Sequence, residues 1–313
     1  MPRFNRRKIL LSSLSLSSLS LLDAGSAVAA SLLPGTRKGR PPATLLRSEQ
    51  FNLKSETGRD FVIQVSLPHE VDPDLPLMVR GRKPVGIYVL DGDSSFGMVA
   101  DLTRMMQWGG DVPPCLIVGI TYPPQYLERP IADQVEPRDF DLTPTPNGGN
   151  SAFAKAENAG GGGRAFLAFI EGKLIPHINQ LYGTDPDVSV LVGHSLGGLF
   201  AIGASTESSG GLRHYLALSP SLWWDDRFEL KRFESSLKNG FHHSGRLAVF
   251  VGEREEHISG AFASMVGNVV ALRGVLENYP AAFDKTTVQI LPDEDHHTLH
   301  GTAISRGLRF LLS

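Results

Sequence analysis

The segment that decides the fold is VSVLVGHSLGG, residues 188–198. Its first five residues form a mainly apolar, β-branched run, which is typical of a strand buried on both faces. A Gly-x-Ser-x-Gly pattern centred on Ser195 follows at once, and an apolar stretch that favours a helix comes next. We therefore predict a strand, a sharp turn and a helix, with Ser195 raised on the turn. Side chains at Gly193 and Gly197 are expected to clash in such a turn.

Short apolar runs on both sides of this segment predict further strands. They cover residues 61–67, 85–90, 116–120, 215–218, 247–251 and 287–291. Amphipathic spacing predicts helices over residues 95–108 and 165–182, the second with an apolar stripe from Phe166 to Leu181. Apolar strands that alternate with helices indicate an α/β fold, a mostly parallel sheet with helices on both faces.

The chain is expected to fold as one domain, residues 45–313, preceded by an export signal. Residues 1–29 combine a basic start, a Leu/Ser-rich stretch and the small-x-small sequence Ala27-Val28-Ala29. Arg6-Arg7 also fits a twin-arginine signal, and a general secretory signal stays open as the alternative. The predicted location is therefore periplasmic or secreted. Residues 144–163, rich in Gly, Asn, Pro and Ala, are expected to be a flexible insertion within the domain.

Composition excludes several classes of protein. The 313 residues carry 30 Lys+Arg against 33 Asp+Glu, and this near-neutral balance argues against a nucleic-acid partner. A hydrophobic fraction of 41% is enough for a substantial core. The single cysteine, Cys115, excludes a disulfide framework and a Cys-rich zinc site. Because no apolar run of about 18 residues follows the signal, no membrane span is expected after its removal.

A serine on a strand–turn–helix unit predicts a nucleophile in an α/β-hydrolase fold, where the base is a histidine after the last strand. His296 and His297 follow the 287–291 run. We favour His296 and keep His297 as the alternative, while His300 is expected to be a solvated helix residue. A zinc site built from these three histidines is rejected, because it lacks the carboxylate and the sequence context of known zinc motifs. No metal or other cofactor is expected.

The acid of such a site follows a late strand, and three glutamates compete for that place. They lie in Gly252-Glu253-Arg254-Glu255-Glu256, directly after the 247–251 run. Glu255 is the first choice and Glu253 the second, since the acid must reach back over the strand end. The oxyanion donors are predicted to be the backbone N–H of Leu196 and that of Gly92 or Asp93, in the loop after the 85–90 run.

Four segments together resemble the esterase D-like α/β-hydrolases, in the branch of the siderophore hydrolases that contains the enterobactin, salmochelin and triacetylfusarinine esterases. They are YVLDG at 88–92, RDFDLTP at 138–144, GHSLGGLF at 193–200 and SPSLWWD at 219–225. The likeness runs from about residue 45 to the C-terminus. His297 departs from the pattern, since relatives usually have glycine after the histidine.

The resemblance implies Ser195 as nucleophile, His296 as base and Glu255 as acid, at the fourth position of a Gly-x-x-Asp/Glu motif. It also implies a substrate-binding rim formed by Arg138, Trp223 and Trp224. From the residues alone, each has a second interpretation. Arg138, with Arg129 as a further candidate, would contact an anionic substrate; alternatively, Arg138 would pair with Asp141. The two tryptophans would either stack on aromatic rings of the substrate or lie in the core.

The function expected from these features is serine carboxylic-ester hydrolysis through an acyl-enzyme, with a ferric siderophore ester or trilactone as substrate. A general small-ester carboxylesterase or an acyl thioesterase of the same fold is the nearest alternative. A metal-dependent phosphatase is a rival of another class, because Asp91-Gly92-Asp93 and Asp293-Glu294-Asp295 each follow an apolar run. A non-catalytic siderophore-binding protein on a hydrolase scaffold is the third.

Overall fold

The computed structural model describes residues 44–68, 82–124, 131–146, 160–257 and 264–313, with the backbone alone for 131–136. Residues 45–313 form one compact unit. The predicted export signal, Arg129 and the greater part of the Gly-rich insertion lie outside the described residues. None of the described helices is long and apolar enough to cross a membrane.

The described residues contain one eight-stranded sheet, with the strand order β1-β2-β4-β3-β5-β6-β7-β8. The strands are β1 Ser48–Lys54, β2 Asp60–Ser66, β3 Val85–Val89, β4 Cys115–Thr121, β5 Ser189–His194, β6 His214–Leu218, β7 His243–Gly252 and β8 Phe283–Leu291. Strand β2 is antiparallel to both of its neighbours, and all other pairs are parallel. The prediction of a mostly parallel sheet is confirmed.

Helices cover both faces of this sheet. They are α1 Gly92–Gly109, α2 Ile131–Leu142, α3 Gly163–Phe169, α4 Ile175–Tyr182, α5 Leu196–Glu207, α6 Trp224–Lys238, α7 Met265–Asn278 and α8 His300–Leu312. Helices α1 and α8 share one buried cluster with alternate strand residues such as Ile87 and Val89. Helices α3 to α7 share the other cluster with Tyr88 and Leu90. Because successive strand residues point to opposite faces, a fully apolar strand supplies both cores.

The strand order creates a crevice between β3 and β5. From β3 the chain passes to β4 on one side, and β5 lies on the other side of β3. Helix α1 leaves the carboxyl end of β3 and helix α5 leaves that of β5, so the two helices diverge from neighbouring strands. Ligands of open α/β sheets bind at such a switch point, outside the carboxyl ends of the strands.

Two local features differ from the sequence prediction. Strand β1 was not predicted, because its sequence SEQFNLK lies at the sheet edge, is largely exposed and lacks an apolar run. The prediction that the buried apolar stripe extends to Leu181 is wrong, because this side chain is 54% exposed. A π-helical turn, Ile170–Leu174, separates α3 from α4, and the Ile175 N–H donates to the Ile170 carbonyl. This wider turn rotates the helix that follows and shifts the stripe.

Candidate active site

Ser195 occupies a strained turn between β5 and α5. Its backbone has φ 60° and ψ −116°, a region that residues other than glycine rarely adopt. A Cβ added at Gly193 would lie 2.1 Å from the Gly197 carbonyl oxygen, which confirms the predicted clash there. The same prediction is wrong for Gly197, whose added Cβ would come no closer than 3.4 Å to Leu90. Gly198 is the second tight position, with 2.7 Å to the Leu218 carbonyl oxygen.

The carboxylate of Glu255 is fully buried and lies against His296. Glu255 Oε2 is 2.7 Å from His296 Nδ1, and Oε1 accepts a hydrogen bond of 2.6 Å from the Gly252 N–H. Glu255 is 0% exposed and His296 is 7% exposed. A short 3₁₀ turn, Glu253–His257, turns Glu255 inward at the end of β7. The structure thus brings together the favoured acid and the favoured base.

The competing candidates face solvent. Glu253 accepts a hydrogen bond from the Asp293 N–H, and Glu256 accepts one from the Gly267 N–H. Both glutamates are exposed, as is His297. Glu253, Glu256 and His297 therefore lie on the surface of the loops that carry the buried Glu255–His296 pair.

Two serines that were given no role in the sequence analysis link the elbow to the acid. Ser219 Oγ donates to Glu255 Oε1 at 2.6 Å. The Ser221 N–H donates to the Ser195 carbonyl at 3.0 Å, and the two hydroxyl oxygens lie 3.3 Å apart. Both serines are 0% exposed. Their position at the end of β6, between β5 and β7 in the sheet, is the signal that could have pointed to this role.

His194, the residue before Ser195, contacts the base from behind. Its Nε2–H donates to the His296 carbonyl at 2.8 Å, and the two ring centroids are 4.5 Å apart. Burial, followed by the neighbouring His296, holds the pKa of His194 well below its usual value, so this ring stays neutral. The prediction of a solvated His300 is wrong, since its half-buried ring lies 4.3 Å from that of His194.

The loop after β3 is held by a two-pronged ion pair. Arg138 Nε lies 2.7 Å from Asp91 Oδ1, and Nη2 lies 2.8 Å from Oδ2. Asp91 has φ 52° and ψ 52°, a left-handed turn that starts helix α1. Although burial alone would lower the pKa of Arg138, the Asp91 carboxylate holds it above its usual value. The alternative prediction that Arg138 pairs with Asp141 is wrong, because the Asp141 carboxylate pairs with Arg59 at 2.8 Å instead.

Gly92 and Asp93, the predicted second oxyanion donors, are the first two residues of α1. Gly92 is buried, and a Cβ there would lie 3.0 Å from the Ile120 backbone nitrogen, so only glycine fits. The Asp93 carboxylate accepts a hydrogen bond of 3.2 Å from Thr121 Oγ1. Burial and then Asp91 raise the pKa of the Asp93 carboxyl. Leu196 begins α5 beside this loop.

The two tryptophans occupy different environments. Trp224 is 1% exposed, and its indole N–H donates to the Thr145 carbonyl at 3.3 Å, so the core interpretation applies to it. Trp223 is partly buried and packs against the edge of the same core. Its ring centroid lies 6.0 Å from that of Trp224. A stacking role at the rim is therefore open to Trp223 alone.

The residues of the rival interpretations are engaged elsewhere. Asp91 is neutralised by Arg138, and Asp293 is paired with the exposed Arg254. In the part of the chain that the structure describes, no group of three or more His, Cys, Asp or Glu side chains could hold a metal ion. The arrangement that remains is a serine elbow beside a buried Glu–His pair.

Comparison with known proteins identifies the family of this chain. The Esterase family model, described as "Putative esterase", matches residues 55–265. The chain is 31% identical to the siderophore triacetylfusarinine C esterase of Aspergillus fumigatus, over 85% of this chain and 94% of that protein. It is 28% identical to the ferri-bacillibactin esterase of Bacillus subtilis, over 72% and 78%.

Among solved structures, the siderophore hydrolase EstB of Aspergillus nidulans aligns with a TM-score of 0.70. The identity is 25%, over 87% of this chain and 97% of that one. Because the family model spans well over half of the chain and the fungal relative exceeds 30% identity, the chain belongs to the esterase family of α/β-hydrolases.

Proposed function

We propose that this protein is a serine esterase that hydrolyses siderophore esters through an acyl-enzyme. The observation that carries the proposal is the buried Glu255 carboxylate, which holds His296 Nδ1 at 2.7 Å beside the Ser195 elbow. A carboxylate accepts hydrogen bonds and donates none, so it fixes the proton of His296 on Nδ1, and Nε2 is then the ring nitrogen that accepts a proton.

In the proposed mechanism His296 Nε2 takes the proton of Ser195 Oγ as that oxygen attacks the ester carbonyl. The tetrahedral intermediate collapses when the carbon–oxygen bond to the alcohol breaks, and the imidazolium returns its proton to the leaving oxygen. Water then attacks the acyl-serine with His296 again as the base, and the products are an acid and the free serine. The Glu255 carboxylate stabilises the imidazolium in both halves of the cycle.

The negative charge of the intermediate is assigned to backbone N–H groups at two helix starts. Leu196 is the first residue of α5 and Gly92 is the first of α1, so both N–H groups belong to the unbonded donors of a helix N-terminus. The second donor is assigned to Gly92 or Asp93, the first two residues of α1. Arg138 keeps this loop in place through Asp91.

The substrate class is proposed from the names of the relatives. One acts on triacetylfusarinine C and another on ferri-bacillibactin, as their names state, and each match covers more than two thirds of this chain. We extend siderophore esters to this chain on that ground. Trp223, partly buried at the end of β6, is kept as the aromatic side of the rim.

We also propose that the protein is exported, on the basis of residues 1–29. Loss of this segment would remove four basic residues and one acidic residue, and would leave the rest of the chain more acidic than the full-length charge of −3. N-terminal sequencing of the protein from a host's periplasm or medium tests this. A start close after Ala29 supports export, whereas an intact Met1 in the cytoplasm contradicts it.

Labelling with a fluorophosphonate tests the catalytic assignment. Wild-type protein should become labelled and lose hydrolysis of nitrophenyl acetate, with the label on the peptide that contains Ser195. Ser195→Ala should abolish labelling and lower kcat by about 10³-fold or more.

The matched control is Ser221→Ala, since the Ser221 hydroxyl lies 3.3 Å from that of Ser195. The label should stay on Ser195 in this variant. Labelling of the Ser195→Ala protein would contradict the mechanism. Hydrolysis of nitrophenyl acetate without hydrolysis of any siderophore would leave a serine esterase and overturn only the substrate.

A further inference from the structure

His194, the last residue of β5, lies beside the base but has no step in the mechanism above. Its Nε2 is 2.8 Å from the His296 carbonyl oxygen, and the centroids of the two rings are 4.5 Å apart. A carbonyl oxygen only accepts hydrogen bonds, so the proton of the neutral His194 ring is on Nε2. This single bond joins the strand that leads to Ser195 to the loop that carries the base.

The His194 ring is presented by a rigid part of the sheet. His194 pairs with Leu218 of the parallel neighbour β6, and the N–H of the next residue, Ser195, donates to the Leu218 carbonyl at 3.0 Å. A second imidazole, that of His300, packs against the ring with 4.3 Å between the centroids. The donor to the His296 carbonyl is therefore fixed at the same sheet edge as the nucleophile.

The base itself lies on a loop, residues 292–299, between β8 and α8. Glu255 holds the ring of His296 through Nδ1, and His194 holds its backbone through the carbonyl. The adjoining carbonyl, that of His297, accepts the Nδ1–H of His300 at 3.0 Å. Two attachments, one on the ring and one on the backbone, restrict the position of His296 more than the carboxylate does alone.

An imidazole is suited to this place because it donates a hydrogen bond without adding charge. His296 becomes an imidazolium during the proposed cycle, and a lysine or arginine at position 194 would place a like charge next to it. Burial, followed by the neighbouring His296, His300 and Arg138, holds the pKa of His194 well below its usual value. The neutral ring therefore supports the backbone of the base and leaves its charged form unopposed.

We propose that His194 is a positioning residue for the base, which ties the His296 backbone to the strand end of the nucleophile and thereby sets the distance from Ser195 Oγ to His296 Nε2. The inference rests on the proposed function and deepens its mechanism. His194 acts through His296 and takes up no proton in the cycle. Misplacement of a catalytic group by about 1 Å lowers the rate by as much as about 10²-fold, so one such bond has a measurable effect.

Two variants of His194 test this role with nitrophenyl acetate as substrate. His194→Phe keeps a ring but removes the donor, and kcat should fall about 10- to 100-fold. KM should change less than about threefold, because formation and hydrolysis of the acyl-enzyme both depend on His296. Labelling of Ser195 by a fluorophosphonate should slow in the same proportion as kcat. His194→Gln supplies an amide N–H of similar reach and should recover to within about fivefold of wild type.

The matched control is His243→Phe. His243 Nε2 likewise donates to a backbone carbonyl, that of Arg213 at 2.9 Å, but at the start of β7, the opposite edge of the sheet. Its rate should stay within about twofold of wild type. A wild-type rate in His194→Phe, an equal loss in His243→Phe or a glutamine variant no faster than the phenylalanine variant would each overturn the inference.

Nitrogen-15 NMR of the histidine rings separates positioning from a loss of stability and does not depend on how well a variant folds. In the wild type the proton of neutral His194 should be on Nε2, and a proton on Nδ1 would overturn the inference. The Nδ1–H signal of His296, identified by its loss in His296→Ala, should exchange faster with water in His194→Phe than in His243→Phe. An unchanged signal would overturn the positioning role. Labelled and active wild-type protein with an equally active His194→Phe variant overturns this inference alone, whereas wild-type protein that resists labelling overturns the proposed function and this inference with it.

Discussion

Two buried carboxylates, Glu255 at the end of β7 and Asp139 on α2, contrast in how their oxygens are bonded. Glu255 is 0% exposed and contacts three donors, the Ser219 hydroxyl, the Gly252 N–H and His296 Nδ1. Asp139 is 2% exposed, and its Oδ2 has none. Burial alone therefore does not determine what a carboxylate does.

The difference follows from the elements that surround each group. The donors to Glu255 come from the ends of β6 and β7 and from the segment after β8, three neighbouring parts of one sheet edge. A network with every member satisfied is rigid and holds one geometry. Asp139 lies on a helix outside the sheet, where the described residues offer its Oδ2 no donor.

Glu255→Gln, which disturbs the fully bonded carboxylate, is expected to have the largest effect. The glutamine keeps the volume but can offer an N–H to His296 Nδ1, which favours the wrong tautomer of the base. We expect kcat for nitrophenyl acetate to fall by about 10³- to 10⁴-fold, the loss seen when a triad acid is replaced by its amide. Glu253→Gln, at an exposed position of the same turn, is the control and should stay within about twofold of wild type. A loss under tenfold in Glu255→Gln would show that His296 does not depend on this acid.

Asp91 extends the comparison, because both of its oxygens are bonded, as they are in Glu255. Arg138→Lys keeps the charge but removes the two-pronged contact. We expect kcat/KM for nitrophenyl acetate to fall about 10- to 100-fold, part of the 10²–10³ that removal of an oxyanion donor costs. Arg59→Lys is the control, since Arg59 also pairs with α2 but through Asp141. An equal loss of rate in both variants would mean that the pair only stabilises the helix.

A milder change is Ser219→Ala, which removes one of the two donors to Glu255 Oε1 and leaves the Gly252 N–H. The free energy of unfolding should fall by about 1–2 kcal/mol, the cost of a lost buried hydrogen bond to a charged group. The rate should fall about tenfold at most, because Glu255 still holds His296. Urea unfolding and nitrophenyl acetate assays check the two effects, with Ser48→Ala at an exposed position as the control. A rate loss as large as that of Glu255→Gln would show that Ser219, rather than the fold, places the acid.

Local sequence was enough for the parts of the fold whose signal is local. The apolar run of β5 and the glycine at position 193 predict the elbow, because both act within a few residues of Ser195. The position of Glu255 could be chosen by its reach over the strand end, and its contact with His296 agrees with that choice. The catalytic roles of these residues stay predictions.

Contacts between distant segments left no such signal. Arg138 could pair with the nearby Asp141 on sequence grounds, but α2 presents it to Asp91, which lies 47 residues earlier. The contact of His194 with the His296 carbonyl spans 102 residues in the same way. The π-helical turn and the polar edge strand β1 were missed because neither follows the regular apolar spacing on which the prediction relied.

The smallest expected effect concerns stability rather than rate. Since burial raises the pKa of Asp139 to about 6 in the folded protein and that of a free aspartate is near 3.9, ionisation of this group favours unfolding as the pH rises from about 4 to about 6. Asparagine does not titrate. Because the buried asparagine amide also lacks partners, Asp139→Asn should be less stable than wild type by about 2 kcal/mol below about pH 4 and more stable by about 1 kcal/mol above pH 6. The change of about 3 kcal/mol between the two limits corresponds to the two pKa units.

Urea unfolding from pH 3.5 to 7.5 measures this, with Asp60→Asn at an exposed position as the control that should show no such window. If Asp139→Asn were less stable than wild type at pH 7, the Asp139 carboxylate would already have hydrogen-bond partners within the fold. A gain in stability above pH 6 would show that the buried Asp139 carboxylate is retained at the expense of stability.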